Sequence, residues 1–82
     1  MNTNPLDDIW ITVLTQLLRK ARKQAWANAE NRRSERVNGM VDLIIATLDF
    51  PKTYAFTIES CVRTELSVRD CIKHIEQLRR NA

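Results

Sequence analysis

Residues 4–39 read NPLDDIWITVLTQLLRKARKQAWANAENRRSERVNG. Asn4-Pro5 has the form of a helix start. Asn is a good N-cap, Pro suits the first helical position, and Asp7 and Asp8 complement the positive end of the helix dipole. Leu6, Ile9, Trp10, Val13, Leu14, Leu17, Leu18, Ala21 and Ala25 then recur at three- and four-residue spacing, which is the helical period. Ala25, Ala27 and Ala29 favour continuation, while Arg32, Arg33 and Arg36 suit a helix end. Asn38-Gly39 has the form of a C-cap and turn. The pattern predicts one helix over about 5–37, with Asn28 to Ser34 the weak stretch where a break is the alternative.

Such a helix would be roughly 45–50 Å long. A compact chain of 82 residues is only about 30 Å across. The first helix would therefore overhang its own domain, and a second copy of the chain would cover the excess. The expectation is a homodimer built on the apolar stripe, with Trp10, Leu14, Leu17 and Leu18 as its core and dimer residues.

The rest of the chain is also read as helical. Met40 to Leu48 places Met40, Val41, Ile44, Ile45 and Leu48 on one side, and Asp49-Phe50-Pro51 ends that segment because the residue before Pro is pushed out of the helical region. Lys52 to Arg63 carries Tyr54, Ala55, Ile58, Cys61 and Val62 at helical spacing, against the strand propensity of residues 53–58. Ser67-Val68-Arg69-Asp70 is a capping-box variant, with Leu66 placed to staple onto Cys71. Val68, Cys71, Ile72, Ile75 and Leu78 form the apolar face that follows, and Arg79 and Arg80 suit its end. The expected fold class is all-α: residues 1–82 form a single helical domain of three to four helices, with one long N-terminal amphipathic helix, assembled as a helical-bundle homodimer. One Gly and two Pro leave little material for the turns of a sandwich or barrel.

Charge separates the segments more sharply than composition does. The chain is 44% hydrophobic and 28% charged with a net charge of +3, a globular and mildly basic balance. Residues 19–36 hold seven bases against Glu30 and Glu35, a local +5, whereas residues 1–18 are net acidic. At 100° per residue, Arg19, Arg22, Lys23, Trp26 and Arg33 share the helix face opposite the apolar stripe, with Glu30 among them, and Arg36 extends the block. A row of guanidinium groups can follow a phosphate backbone, and an indole within it can stack on a base or sugar. The expected function is a small dimeric regulatory protein that binds nucleic acid through the basic outer face of its first helix. The alternative is a regulatory or inhibitory adaptor that uses the same face on an acidic protein surface; a merely solvated face is the third reading. A membrane-surface helix is disfavoured, because the basic cluster follows the apolar stripe instead of flanking it.

Other chemistries find little support. Cys61, Cys71 and His74 do not supply the ligands of a tetrahedral metal site, and no metal is expected. No Ser-His-Asp set, glycine-rich phosphate loop or pair of inward carboxylates can be assembled, so neither catalysis nor a cofactor is expected. Two thiols in 82 residues are not a disulfide framework, the N-terminus is acidic where a secretory leader would be basic, and the longest apolar run is Leu43 to Ala46. The expected setting is cytoplasmic, reducing and away from membranes. Residues 68–80 could be read as a groove-reading helix of a helix-turn-helix, but their mixed charge and lack of Asn or Gln at the start fit poorly. Two long antiparallel helices laid across successive grooves fit better, a mode that reads A-form shape.

The succession of a long basic helix, a second apolar helix, Leu48-Asp49-Phe50-Pro51, Tyr54-Ala55-Phe56 and a charged helix from Leu66 to Arg80 resembles the small RNA-silencing suppressors of nodaviruses, over about residues 37–80. The resemblance implies an all-α homodimer that binds double-stranded RNA along paired helices, a viral or phage regulatory role in host–virus interaction, and a preference for duplex RNA over DNA. The family carries basic residues through its second long helix, whereas Met40 to Leu48 has none and contains Asp42, so no individual RNA-contact residue carries over.

Overall fold

The computed structural model describes residues 8–81, and every described element is helical. Four α-helices, α1 (Ile9–Ala27), α2 (Ser34–Leu48), α3 (Ala55–Val62) and α4 (Val68–Arg80), alternate in direction around one core. Single 3-10 turns, Glu30–Arg32 and Lys52–Tyr54, lead into α2 and α3. The predicted start at Asn4-Pro5, with Leu6 and Asp7, lies outside the described residues. No described helix is long and apolar enough to cross a membrane.

The first helix does not run to residue 37. It stops at Ala27, and Asn28 is extended, with φ −159° and ψ 162°. Two asparagines hold the break. The Asn28 Oδ1 accepts the Asn31 backbone N–H at 2.9 Å, and the Asn31 Nδ2 donates to the Gln24 carbonyl at 2.9 Å, one of the orphan acceptors at the end of α1. Side chains that can satisfy nearby backbone groups offer the chain an alternative to the helix, and here they win. Arg33 is again extended, and the chain re-enters helix at Ser34. With 19 residues α1 is only ~28 Å long. It lies within its own bundle, whose radius of gyration is 12.8 Å, so the overhang that called for a second copy is absent.

Asn38-Gly39 is not a terminus. Both residues lie inside α2. The terminators are residues without a glycine's freedom. Asp49 has φ 53°, with its N–H donating to the Ala46 carbonyl and the Phe50 N–H to the Ile45 carbonyl at 3.0 Å. Thr64 has φ 62°, with its N–H donating to the Cys61 carbonyl and the Glu65 N–H to the Ser60 carbonyl at 2.8 Å. Both are left-handed Schellman caps, a position that glycine normally fills. The third segment is helical, so tertiary packing of Tyr54, Ile58, Cys61 and Val62 outweighs local strand propensity. The Ser67 cap forms as read: its Oγ accepts the Asp70 N–H at 3.0 Å.

The core combines Leu14, Leu18, Ala21 and Ala25 of α1 with Val37, Val41 and Ile44 of α2, then Phe50, Tyr54, Ile58, Cys61, Val62, Cys71 and Ile75. Trp10 and Leu17 pack half-buried against it. Of the four residues read as core and dimer residues, Leu14 and Leu18 are thus core residues of the single chain, with Trp10 and Leu17 packed against them. At the α1 start, Trp10 meets Phe50 edge to face with centroids 6.0 Å apart, and Phe50 meets Tyr54 at 5.1 Å.

Candidate nucleic-acid interface

The +5 block between residues 19 and 36 now spans the end of α1, the break and the start of α2. Exposed Arg19 and Lys23 stay on α1, one turn apart, with Trp26 following. Lys20 is exposed as well, beside Leu17, Met40 and Leu43 in the groove between α1 and α2. Arg33 and Arg36 leave the helical phase of α1, because a single face through residue 33 needs an unbroken helix. They remain exposed at the same corner. Arg36 lines a cavity of about 440 Å³ together with Gln24 and Asn31 at the end of α1. Arg33 pairs with Glu30 at 3.7 Å, an exposed ion pair of little energetic weight.

Arg22 does not belong to this surface. Its Nη1 donates to the Leu66 carbonyl at 3.2 Å and lies 3.7 Å from the Cys61 Sγ, so the side chain is drawn under the α3–α4 connection. The placement on the outer face is corrected by a carbonyl and a thiol some forty residues away, which the pattern of α1 alone does not contain. The α4 cations Arg69, Lys73 and Arg80 are exposed, and none of them forms an ion pair among the described residues.

Trp26 is 51% exposed, and the Arg32 guanidinium lies over its ring at 4.6 Å. Behind the pair is a shallow cavity of about 260 Å³ with an apolar floor of Ala25, Val37 and Val62 and a polar rim of Arg32, Arg63 and Glu65. Arg63, the end of the third segment, caps α3 beside Ala25 and Val37 and is held by Glu59 at 3.0 Å. The corner therefore presents a stackable indole ringed by cations, with acidic Glu30, Glu35 and Glu65 dispersed among them. Such a surface can hold polyanions by charge and planar groups by stacking. His74 is exposed, whereas Cys61 and Cys71 are buried, and no three potential metal ligands converge among the described residues. Comparison with family models, curated proteins and solved structures finds no match to this chain.

Proposed function

We propose that this chain is a small regulatory protein that binds nucleic acid, with duplex RNA favoured, through the corner where α1 gives way to α2. Arg19, Lys23, Arg33 and Arg36 contact phosphates, and Trp26 with Arg32 supplies the stacking surface. The observation that carries the reading is Trp26. Apart from Phe56, it is the one aromatic side chain that the core leaves more than half exposed, and it stands among the densest cations of the sequence. The duplex preference rests on the antiparallel α1–α2 pair, whose cations share one corner, and on the resemblance to the nodaviral suppressors. Without an overhanging helix, a single chain is sufficient as the binding unit.

The test is fluorescence anisotropy with labelled duplex RNA, duplex DNA and single-stranded RNA at several salt concentrations. Four phosphate contacts imply a slope of log K against log salt of about −3.6 for a duplex. Absence of binding at 50 mM salt overturns the reading. Equal affinity for the three probes removes the duplex RNA preference.

A second reading, an adaptor on an acidic protein surface, is favoured by Phe56. This ring is 79% exposed on α3 and borders a cavity of about 290 Å³ with Ser60, Leu66 and His74. Exposed aromatic side chains are common anchors at protein interfaces. A Phe56→Ser variant that retains nucleic-acid binding but loses a protein captured by the wild type supports this reading.

A further inference from the structure

Cys61 on α3 and Cys71 on α4 are both fully buried where the two helices pack together. The Cys71 thiol donates at 3.8 Å to the carbonyl of Thr57, one turn before Cys61 on α3, which places the two cysteines on facing turns. Ordinary buried cysteines act as small apolar groups and need no charged neighbour. Here a charge is supplied. Arg22 reaches from α1 to within 3.7 Å of the Cys61 sulfur, and its oxygen partner is the Leu66 carbonyl. A guanidinium has five N–H donors and cannot be deprotonated, so it is best matched by an anionic acceptor.

We propose that Cys61 and Cys71 are a hydroperoxide-sensitive pair, with Cys61 as the attacking thiolate, Cys71 as the resolving thiol and Arg22 as the residue that holds the thiolate. The Cys61 sulfur attacks one oxygen of hydrogen peroxide. An S–O bond forms, the O–O bond breaks, and the departing hydroxide takes a proton to become water. The Cys71 sulfur then attacks the Cys61 sulfur. The S–S bond forms, the S–O bond breaks, and the leaving oxygen departs as water with the Cys71 proton. Two thiols lose two electrons and two protons, and the peroxide becomes two waters. The product joins α3 to α4 across the Thr64 turn and leaves Arg22 with no anion to neutralise.

Protonation equilibria support the assignment. The neighbouring Cys71 thiol and the Arg22 guanidinium pull Cys61 below the usual thiol range despite its burial. The neighbouring Cys61 sulfur and burial hold the Cys71 proton on. The pair therefore gives up one proton early and one late, as an attacking and a resolving thiol require.

The test is titration of the full chain with hydrogen peroxide, followed by intact mass, thiol alkylation and non-reducing peptide mapping. The expected result is a monomer lighter by two hydrogens in which Cys61 is linked to Cys71. In Cys71→Ser the reaction stops at a sulfenic acid on Cys61 that dimedone traps. Arg22→Met slows oxidation about tenfold at neutral pH, because less thiolate is present. Should Arg22→Met fail to fold, the wild-type rate against pH carries the test, with an inflection below that of the chain in denaturant. The pair is refuted if both thiols of the folded chain stay free while the denatured chain reacts, or if only intermolecular disulfides form. An inflection that matches the denatured chain refutes the role of Arg22.

Discussion

The two ends of α1 carry the same pairing, a tryptophan beneath an arginine, in opposite settings. At the start, Arg79 lies 5.0 Å over Trp10, and that ring is backed by Phe50 and Tyr54. At the end, Arg32 lies 4.6 Å over Trp26, which is half exposed above a shallow cavity. The first stack closes the bundle, because α1, the α2–α3 connection and α4 all meet there. The second closes nothing. Trp26 packs beside a six-residue break and leaves its indole to solvent. What stands behind a cation–π pair, more than the pair itself, decides whether it holds the fold or stays open to solvent.

The largest effect should separate the two ends. Phe50→Ala removes the ring between Trp10 and Tyr54 and is expected to cost about 3–4 kcal/mol in urea unfolding. Trp10→Ala is expected to cost about 2–3 kcal/mol, since Trp10 is half-buried. Trp26→Ala should cost less than about 1 kcal/mol of stability, while the loss of one stacked base weakens nucleic-acid binding about tenfold. Equal destabilisation by Trp10→Ala and Trp26→Ala would erase the distinction.

A smaller effect sharpens it along α1. Arg22→Ala strips a donor from the Leu66 carbonyl and is expected to cost about 1–2 kcal/mol, leaving the salt slope of binding unchanged. Arg19→Ala, Lys23→Ala, Arg33→Ala and Arg36→Ala should each reduce the slope by about one, with stability changed by less than about 0.5 kcal/mol. A salt slope lowered in Arg22→Ala would return Arg22 to the outer face.

Stability should also depend on pH through the buried thiols. The first thiol proton of the Cys61–Cys71 pair leaves below the ordinary thiol value of about 8.5 in the folded state, so stabilisation is complete above that value and is lost as the pH falls toward neutrality. The second proton is retained above it, so the unfolded chain releases more protons and stability declines again at higher pH. Thermal melts should pass through a maximum near pH 8.5, with a rising limb of about 1 kcal/mol that disappears in Cys61→Ser.

Much of the architecture is legible in the sequence. The α1 stripe, the stop at Asp49-Phe50-Pro51, the helical third segment and the Ser67 cap all follow from local spacing and chemistry. The break after Ala27 is harder to read, because Asn28 and Asn31 stabilise it only through bonds that exist once the helix has ended. Gly39 misleads for a related reason. A glycine signals a terminus when left-handed backbone is needed, yet the chain assigns that backbone to Asp49 and Thr64. At the candidate interface the size of the charge block is legible and its geometry is not. Arg22 is captured by α3 and its following turn, and Arg33 and Arg36 are rephased by the break.

Small gains in stability are expected at two of the positions just named. A Cβ at Gly39 would meet nothing within 4 Å, so Gly39→Ala should stabilise by about 0.5–1 kcal/mol. Thr64→Gly should yield a similar amount by relieving a β-branched residue of positive φ. Calorimetry of the two variants and their double checks both values.

A glycine inside a helix and two left-handed turns built without one leave easily gained stability unused. Proteins are seldom selected for more stability than their task needs. In cells, one or two kcal/mol changes steady-state abundance several-fold, through chaperones and proteases that sort the unfolded fraction. In the regulatory role proposed above this would be a property of timing. A chain held nearer its threshold would be cleared sooner after synthesis stops, and its signal would last little longer than its message.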